Sequence, residues 1–125
     1  MTDLALLALA DAAAARAYAP YSSVQVGCAV LARDGRVIEG VNVENASYPL
    51  GVCAERTAFS RAVAEGYRPG DFAVAAITAS PCGGCRQWLL EMRVDRVVFR
   101  NGGRVVTLTP DQLLPESFDS VDLEA

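Results

Sequence analysis

The chain has 125 residues, near the commonest size of one domain, and we expect a single domain over residues 1–125. Hydrophobic residues make up 52% of it, yet no apolar run approaches the ~20 residues that a membrane helix needs. The net charge of -4 arises at the C-terminus, where residues 105–125 hold five acids and no base, and the remainder is close to neutral. This charge distribution argues against a polynucleotide-binding surface and favours a small, uncharged ligand.

The N-terminal residues 3–18 predict an amphipathic helix capped by Thr2 or Asp3. This apolar segment superficially resembles a signal peptide, but Asp11 interrupts it and no basic residue precedes Arg16. We therefore expect a cytoplasmic protein. In that compartment four cysteines are more typical of metal ligands or core residues than of disulfides.

The rest of the chain alternates between strand and helix patterns. Residues 24–32 and 37–43 predict two antiparallel strands joined by an Asp-Gly turn. Such alternation predicts an α/β fold, a three-layer α/β/α sandwich whose mixed sheet of about five strands has helices on both faces. The later predicted elements are a helix over 53–65, a buried strand over 72–79, a helix from about Gly83 to Arg93, strands RVVFR and RVVTL, and a short helix with Thr109 as N-cap and Pro110 at its first position.

Cysteines occupy two of the predicted helix starts. Cys53 opens the helix over 53–65, and Cys82 and Cys85 flank the start of the next predicted helix in the stretch CGGC. The positive end of a helix dipole favours thiolate, which we expect at Cys53 and Cys85, and thiolate is the form that zinc binds. Three protein ligands leave the fourth tetrahedral position of zinc open for water, which is the arrangement of a catalytic site.

The fourth cysteine, Cys28, leaves an alternative open. It could complete a closed structural site of four cysteines in a protein that is not an enzyme. However, Cys28 alternates in phase with Val24, Val26 and Val30 of the first predicted strand, where a small core residue belongs. We favour a core position for Cys28 and a three-cysteine zinc site.

The chain contains no histidine, so acid/base chemistry needs another group. Glu55 lies two residues after Cys53, in the first turn of its helix. A carboxylate there is often simply solvated, but beside zinc-bound water it is the natural proton acceptor. Three thiolates on Zn²⁺ also leave a net charge of -1, and we expect Arg56 to offset it by donating hydrogen bonds to a ligand sulfur. Arg86 either shares this task or is a surface arginine.

Three motifs, NVENASY, CAERTA and SPCGGCRQ, closely resemble those of the small, homotetrameric cytidine deaminases that act on free nucleosides. YAPYS before them and LLPESF after them extend the resemblance over nearly the whole chain in the same order. The zinc deaminase signature includes a three-cysteine variant. The resemblance implies the cytidine deaminase fold and hydrolytic deamination of cytidine and 2'-deoxycytidine to uridine and 2'-deoxyuridine, with release of ammonia.

The resemblance also assigns the reacting groups. Cys53, Cys82 and Cys85 would hold one zinc ion per subunit, whose activated water attacks C4 of the pyrimidine. Glu55 would take the water proton, deliver it to N3 and assist departure of the amino group.

The substrate-binding residues are likewise implied by the resemblance. Asn42 and Glu44, with Val43 between them, would bind the ribose, and the Glu44 carboxylate would repel a 5'-phosphate. Backbone around Ala54 would hold the base edge. Phe118 would stack on the base in a neighbouring subunit of a homotetramer.

One position departs from the pattern near the substrate. Val24 stands where many relatives have a phenylalanine that packs near the base. A second hypothesis within the same chemistry is therefore a deaminase of a modified cytosine nucleoside.

Overall fold

A five-stranded mixed sheet separates two layers of helices in the computed structural model, which describes residues 1–124. Ala125, the last residue of the predicted domain, lies outside the described residues. The strands are β1 (Gly27–Ala32), β2 (Val37–Val41), β3 (Phe72–Ile77), β4 (Arg96–Asn101) and β5 (Arg104–Leu108). The helices are α1 (Asp3–Ala14), α2 (Ala54–Ala64), α3 (Gly83–Met92) and the short α4 (Pro110–Leu113), with 3₁₀ turns at Tyr48–Leu50 and Ser120–Leu123.

The strand order is β2-β1-β3-β4-β5. β1 pairs antiparallel with β2 and with β3, β3 pairs parallel with β4, and β4 pairs antiparallel with β5. Since β2 and β3 both run opposite to β1, their carboxyl ends lie at one edge of the sheet, together with the start of β1. The segments that carry Asn42, Cys53 and Cys82 all leave the sheet at this edge.

Alternation along β1 separates two hydrophobic cores. Cys28, Val30 and Ala32 point to the face covered by α2 and α3, whereas Ala29 points to the face covered by α1. α1 contributes Leu6, Leu7 and Ala10 to the second core. The three-layer α/β/α prediction is confirmed. Among residues 1–124, no helix has the length and apolarity needed to cross a membrane.

The first helix is shorter than predicted. Thr2 caps it by accepting a hydrogen bond from the Ala5 N–H, but the helix ends at Ala14 instead of residue 18. Beyond it the Tyr18 N–H donates to the Asn42 carbonyl at 3.1 Å. This pairing across the chain replaces the last predicted turn and brings the N-terminal segment to the site edge of the sheet.

The first strand is also shorter than predicted, because β1 begins at Gly27 instead of residue 24. The Asn42 side chain takes the place of a partner strand for the preceding residues. Its Oδ1 accepts from the Val26 N–H, and its Nδ2 donates to the Val24 carbonyl, both at 2.8 Å. Residues 24–26 therefore form a wall held by a side chain at the edge of the sheet.

Gly40 allows α2 to approach β2 closely. A Cβ atom at Gly40 would lie 2.4 Å from both the Ala54 carbonyl oxygen and the Ala58 nitrogen, which are backbone atoms of α2. A side chain there must push away the helix that begins next to Cys53.

We expect Gly40→Ala to lower the free energy of unfolding by roughly 1–3 kcal/mol or more, the usual cost of overpacking. The control is Gly103→Ala, because no atom lies within 4 Å of a Cβ at Gly103. Denaturant unfolding of both variants measures the difference. Equal stabilities would contradict the close α2–β2 approach.

Candidate active site

Three cysteine sulfur atoms converge where α2 and α3 begin. Cys53 is the N-cap residue of α2, Cys82 is the N-cap residue of α3, and Cys85 lies in the first turn of α3. Their Sγ atoms all lie within 4.8 Å of one another, and those of Cys53 and Cys82 are 3.9 Å apart. The predicted ligand set is therefore brought together by two helix N-termini.

This arrangement fits zinc. Zn–S bonds of about 2.3 Å in a tetrahedral site place two sulfur atoms about 3.8 Å apart. The Cys53–Cys82 sulfur separation of 3.9 Å agrees with that value. Three thiolates with a carboxylate close by form a donor set that suits one zinc ion with one position left open.

Burial and hydrogen bonding act differently on two of the thiols. Burial alone would raise the pKa of Cys82, but the Cys85 N–H and the neighbouring thiols bind its sulfur and hold the pKa below its ordinary value. The pKa of Cys85 is raised instead, mainly by burial and by the charge of Glu55. The start of α3 thus favours thiolate at Cys82, its N-cap residue. Thiolate at Cys85 stays a prediction.

Glu55 is buried beside these sulfur atoms. Its side chain is 3% exposed, and among residues 1–124 it is the one charged residue that is buried. Burial raises the pKa of Glu55, while backbone hydrogen bonding, Cys85 and the charge of Arg56 oppose the rise. A solvated surface carboxylate is therefore the wrong description of Glu55.

Arg56 interacts with the sulfur cluster. Its pKa is raised chiefly by a hydrogen bond to the Cys53 sulfur, with contributions from the charges of Cys53 and Cys85. Its Nε atom is buried without a hydrogen-bond partner within residues 1–124. A guanidinium with a buried Nε at this place is compatible with the excess negative charge of three thiolates around Zn²⁺.

Arg86 donates its hydrogen bonds to oxygen atoms of the chain instead of to a ligand sulfur. Its Nε donates to the Pro81 carbonyl at 2.9 Å, Nη1 to the Leu113 carbonyl at 2.9 Å, and Nη2 to Ser80 Oγ at 3.3 Å. All three nitrogen atoms are directed at oxygen atoms of the chain. Arg86 therefore braces the loop before Cys82.

Cys28 belongs to the core. It is fully buried and packs in the same cluster as Ala54 and Phe59, and the group of converging sulfur atoms does not include it. Burial raises the pKa of the Cys28 thiol well above its ordinary value, with a smaller effect of the Glu55 charge. A neutral thiol packed in the core does not fit the four-cysteine alternative.

A cavity of about 310 Å³ opens beside the sulfur atoms. This volume is at the lower end of the range of about 300–1,000 Å³ for ligand pockets. Two of the predicted zinc ligands, the buried carboxylate and two polar side chains of the NVEN stretch line it together. The residues around it are Ser22, Val24, Val26, Asn42, Glu44, Cys53, Ala54, Glu55, Ile77, Ala79, Ser80 and Cys82.

Glu44 holds the loop that forms one side of this cavity. Its Oε1 accepts from the Tyr21 N–H at 2.9 Å and the Ser22 N–H at 3.1 Å, and its Oε2 accepts from the Ser22 hydroxyl. These bonds keep the pKa of Glu44 below its ordinary value, and the bond from the Ser22 hydroxyl has the largest effect. A carboxylate has about four acceptor positions, so one remains for a ligand.

Asn42 also retains hydrogen-bonding capacity toward a ligand. Its two bonds to the segment of Val24 and Val26 use one amide N–H and one acceptor position. One N–H and one acceptor position remain. Both polar residues of the NVEN stretch therefore build the wall of the cavity and retain capacity toward a ligand.

Two predicted substrate-binding residues lie outside this cavity. Among residues 1–124, neither Val43 nor Phe118 is part of its lining. Val43 exchanges two backbone hydrogen bonds with Val52, at 2.9 Å each, and so ties the NVEN stretch to the residue before Cys53. Phe118 is 60% exposed. Their roles toward substrate stay predictions.

Sequence reasoning missed several cavity residues. Ile77, Ala79 and Ser80 line the cavity from the end of β3, and Ser22 lines it from the Glu44-bound loop. The signal for the first three was their place directly before the CGGC stretch, at the carboxyl end of a buried strand. Ser22 carries no comparable signal, because its position depends on hydrogen bonds to a residue 22 positions later.

A three-layer α/β/α fold with three converging cysteines and a buried glutamate beside them defines a zinc-dependent deaminase. Residues 1–101 match the family described as "Cytidine and deoxycytidylate deaminase zinc-binding region". The chain belongs to this family.

Several proteins are similar to this chain in both sequence and fold. A cytidine deaminase of Halalkalibacterium halodurans is 44% identical over 116 residues, covering 86% of this chain and 86% of that protein. The crystal structure of cytidine deaminase from Burkholderia pseudomallei matches with a TM-score of 0.89 and 47% identity, covering 94% of this chain and 100% of that chain. Cytidine deaminase from Mycobacterium tuberculosis matches with a TM-score of 0.82 and 36% identity, covering 94% and 98% of the two chains. These matches confirm the predicted family and fold class.

Zinc content tests the assignment of ligands. Replacing Cys53, Cys82 or Cys85 with serine is expected to lower bound zinc well below one ion per chain, because the soft thiolate donor is lost. The matched control Cys28→Ala is expected to keep about one ion per chain. Elemental analysis of the purified variants measures both. Loss of zinc from Cys28→Ala would contradict the three-cysteine site.

Proposed function

We propose that the protein is a cytidine deaminase, a hydrolase that converts cytidine and 2'-deoxycytidine to uridine and 2'-deoxyuridine and releases ammonia. The observation that carries this proposal is the buried Glu55, which lies beside three converging sulfur atoms. It lines a cavity whose wall also contains polar side chains. The similar proteins named above are cytidine deaminases, which supports this choice of substrate.

Cys53, Cys82 and Cys85 would hold the zinc ion. Zinc bound there supplies a Lewis acid that makes a water nucleophile available near neutral pH. Glu55 accepts the proton of the attacking water and delivers it to N3 as the C4–O bond forms. Glu55 then takes the proton of the new C4 hydroxyl and delivers it to the amino group, so that the C4–N bond breaks, the C4 carbonyl forms and ammonia leaves. Burial excludes bulk water from this proton transfer.

The remaining hydrogen-bonding capacity of the wall suits a sugar. The free N–H of Asn42 and the free acceptor position of Glu44 are complementary to ribose hydroxyls. The Glu44 carboxylate also repels a 5'-phosphate, which favours nucleosides over nucleotides. Backbone at Ala54 would hold the edge of the base, and the position of Ala54 in the cavity lining supports this role.

The Phe118 ring and the exposed apolar residues near the cavity support assembly. Tyr21, Val43 and Tyr48 are 49%, 40% and 74% exposed near the cavity side of the sheet. We propose a homotetramer in which Phe118 stacks on the base in a neighbouring pocket. We further propose that residues 1–125 form one catalytic domain that acts in pyrimidine salvage in the cytoplasm.

A second candidate substrate has one observation in its favour. Val24 lines the cavity and is 60% exposed, so an aliphatic side chain borders the cavity here. A modified cytosine nucleoside with extra bulk would fit beside valine better than beside a larger aromatic side chain. Competition between such analogues and cytidine distinguishes the two substrates.

The purified zinc protein is expected to convert cytidine and 2'-deoxycytidine in an absorbance assay and to leave CMP almost unchanged. Glu55→Gln is expected to lower kcat by about 10²- to 10⁴-fold, the usual contribution of general acid/base catalysis, while zinc is retained. The control is Glu91→Gln, since Glu91 is an exposed residue of α3, and it should keep full activity.

Two results would contradict these assignments. A zinc-bound Glu55→Gln variant that keeps more than about a tenth of the wild-type rate would refute the role of Glu55 in proton transfer. Turnover of CMP at a rate comparable to cytidine would refute phosphate exclusion by Glu44.

A further inference from the structure

The C-terminal segment, residues 114–124, follows α4 and buries little apolar surface. Phe118, Val121 and Leu123 are 60%, 61% and 77% exposed. Hydrophobic burial therefore contributes little to the position of these side chains. Polar bonds have to fix the backbone that carries Phe118.

Helix α3 supplies such bonds. Gln87 Nε2 donates to the Phe118 carbonyl at 2.6 Å. Arg93, directly after the helix, donates from Nη2 to Ser120 Oγ at 3.2 Å. The segment is thus attached to the middle of α3 through Gln87 and to the residue directly after the C-terminal end of α3 through Arg93.

Arg86 connects the same helix to two further segments. Its Nη1 bond to the Leu113 carbonyl fixes the end of α4, where the C-terminal segment begins. Its bonds to the Pro81 carbonyl and Ser80 Oγ fix the loop that precedes Cys82. One half-buried guanidinium therefore joins the zinc-ligand loop, α3 and α4.

We propose that Gln87 and Arg86 are positioning residues that place Phe118 by fastening the C-terminal segment to the helix that carries Cys85. This inference rests on the proposed function, in which Phe118 completes the pocket of a neighbouring subunit. The Gln87 bond is made to a main-chain carbonyl, so it fixes the backbone and leaves the ring directed outward. Helix α3 then serves two active sites. It provides the zinc ligand Cys85 to the site of its own subunit, and it positions Phe118, which stacks on the base in the neighbouring subunit.

Gln87→Met tests the bond to Phe118, because methionine keeps the side-chain length and removes the N–H donor. In the zinc-loaded full chain we expect faster hydrogen–deuterium exchange in residues 114–124. We also expect KM for cytidine to rise about three- to ten-fold, the usual effect of one lost hydrogen bond, with kcat nearly unchanged. Glu91→Met, on the exposed side of the same helix, is the matched control and should change neither quantity.

A double-mutant cycle shows whether Gln87 acts through Phe118. If it does, Gln87→Met raises KM in the wild-type background and has little further effect in Phe118→Ala. An equal rise in both backgrounds would overturn the proposal, as would unchanged exchange in residues 114–124. If Phe118→Ala itself leaves KM unchanged, the stacking role in the proposed function is wrong, and the exchange measurement alone decides whether Gln87 fastens the segment.

Arg86→Met tests the second contact. We expect faster exchange in residues 114–124 and faster loss of zinc to a chelator, because both the α4 end and the Cys82 loop lose their brace. Arg68→Met is the matched control, since Arg68 Nη1 also donates to two carbonyls, those of Val63 and Tyr67, away from the site. Zinc loss and exchange equal to this control would overturn the role of Arg86; if Arg86→Met does not fold, Gln87→Met decides the proposal.

Discussion

The close approach of two helix N-termini at one edge of the sheet is the constraint on which the rest of this structure depends. The start of α2 provides Cys53, and the start of α3 provides Cys82 and Cys85. The sheet makes this possible, because β2 and β3 both run antiparallel to β1 and end at the same edge. Gly40 lets α2 lie against β2 with backbone nearly touching backbone. Because this topology brings three thiols together, a metal site forms without histidine.

Positive groups at the site balance the negative charge of the thiolates. Three thiolates exceed the charge of one zinc ion, and two helix dipoles with Arg56 supply compensating positive charge. At this site Cys85 and Glu55 are buried, whereas Cys82 is exposed. A charged carboxylate in that position is costly for folding because it loses its hydration, and a role in the chemistry explains why it is kept. Chemistry and stability thus compete at one residue.

Much of this fold could be predicted from local sequence. Helix caps, the Asp-Gly turn and the cysteine spacing depend on residues near each other in the chain, and the predicted order and type of elements are confirmed. The errors arose where distant residues decide local structure. α1 ends at Ala14 because the chain beyond it pairs with Asn42, and the same residue keeps Val24 out of β1. The contacts of Arg86 could not be predicted either, because they join segments separated by up to 27 residues.

The coordination of zinc in the purified protein is the most direct test of the central claim. X-ray absorption at the zinc edge counts the sulfur ligands and measures their distances. The three-cysteine site predicts three sulfur atoms at about 2.3 Å and one oxygen or nitrogen ligand at about 2.0 Å, the position left for water. A shell of four sulfur atoms would mean a closed structural site and would contradict the account.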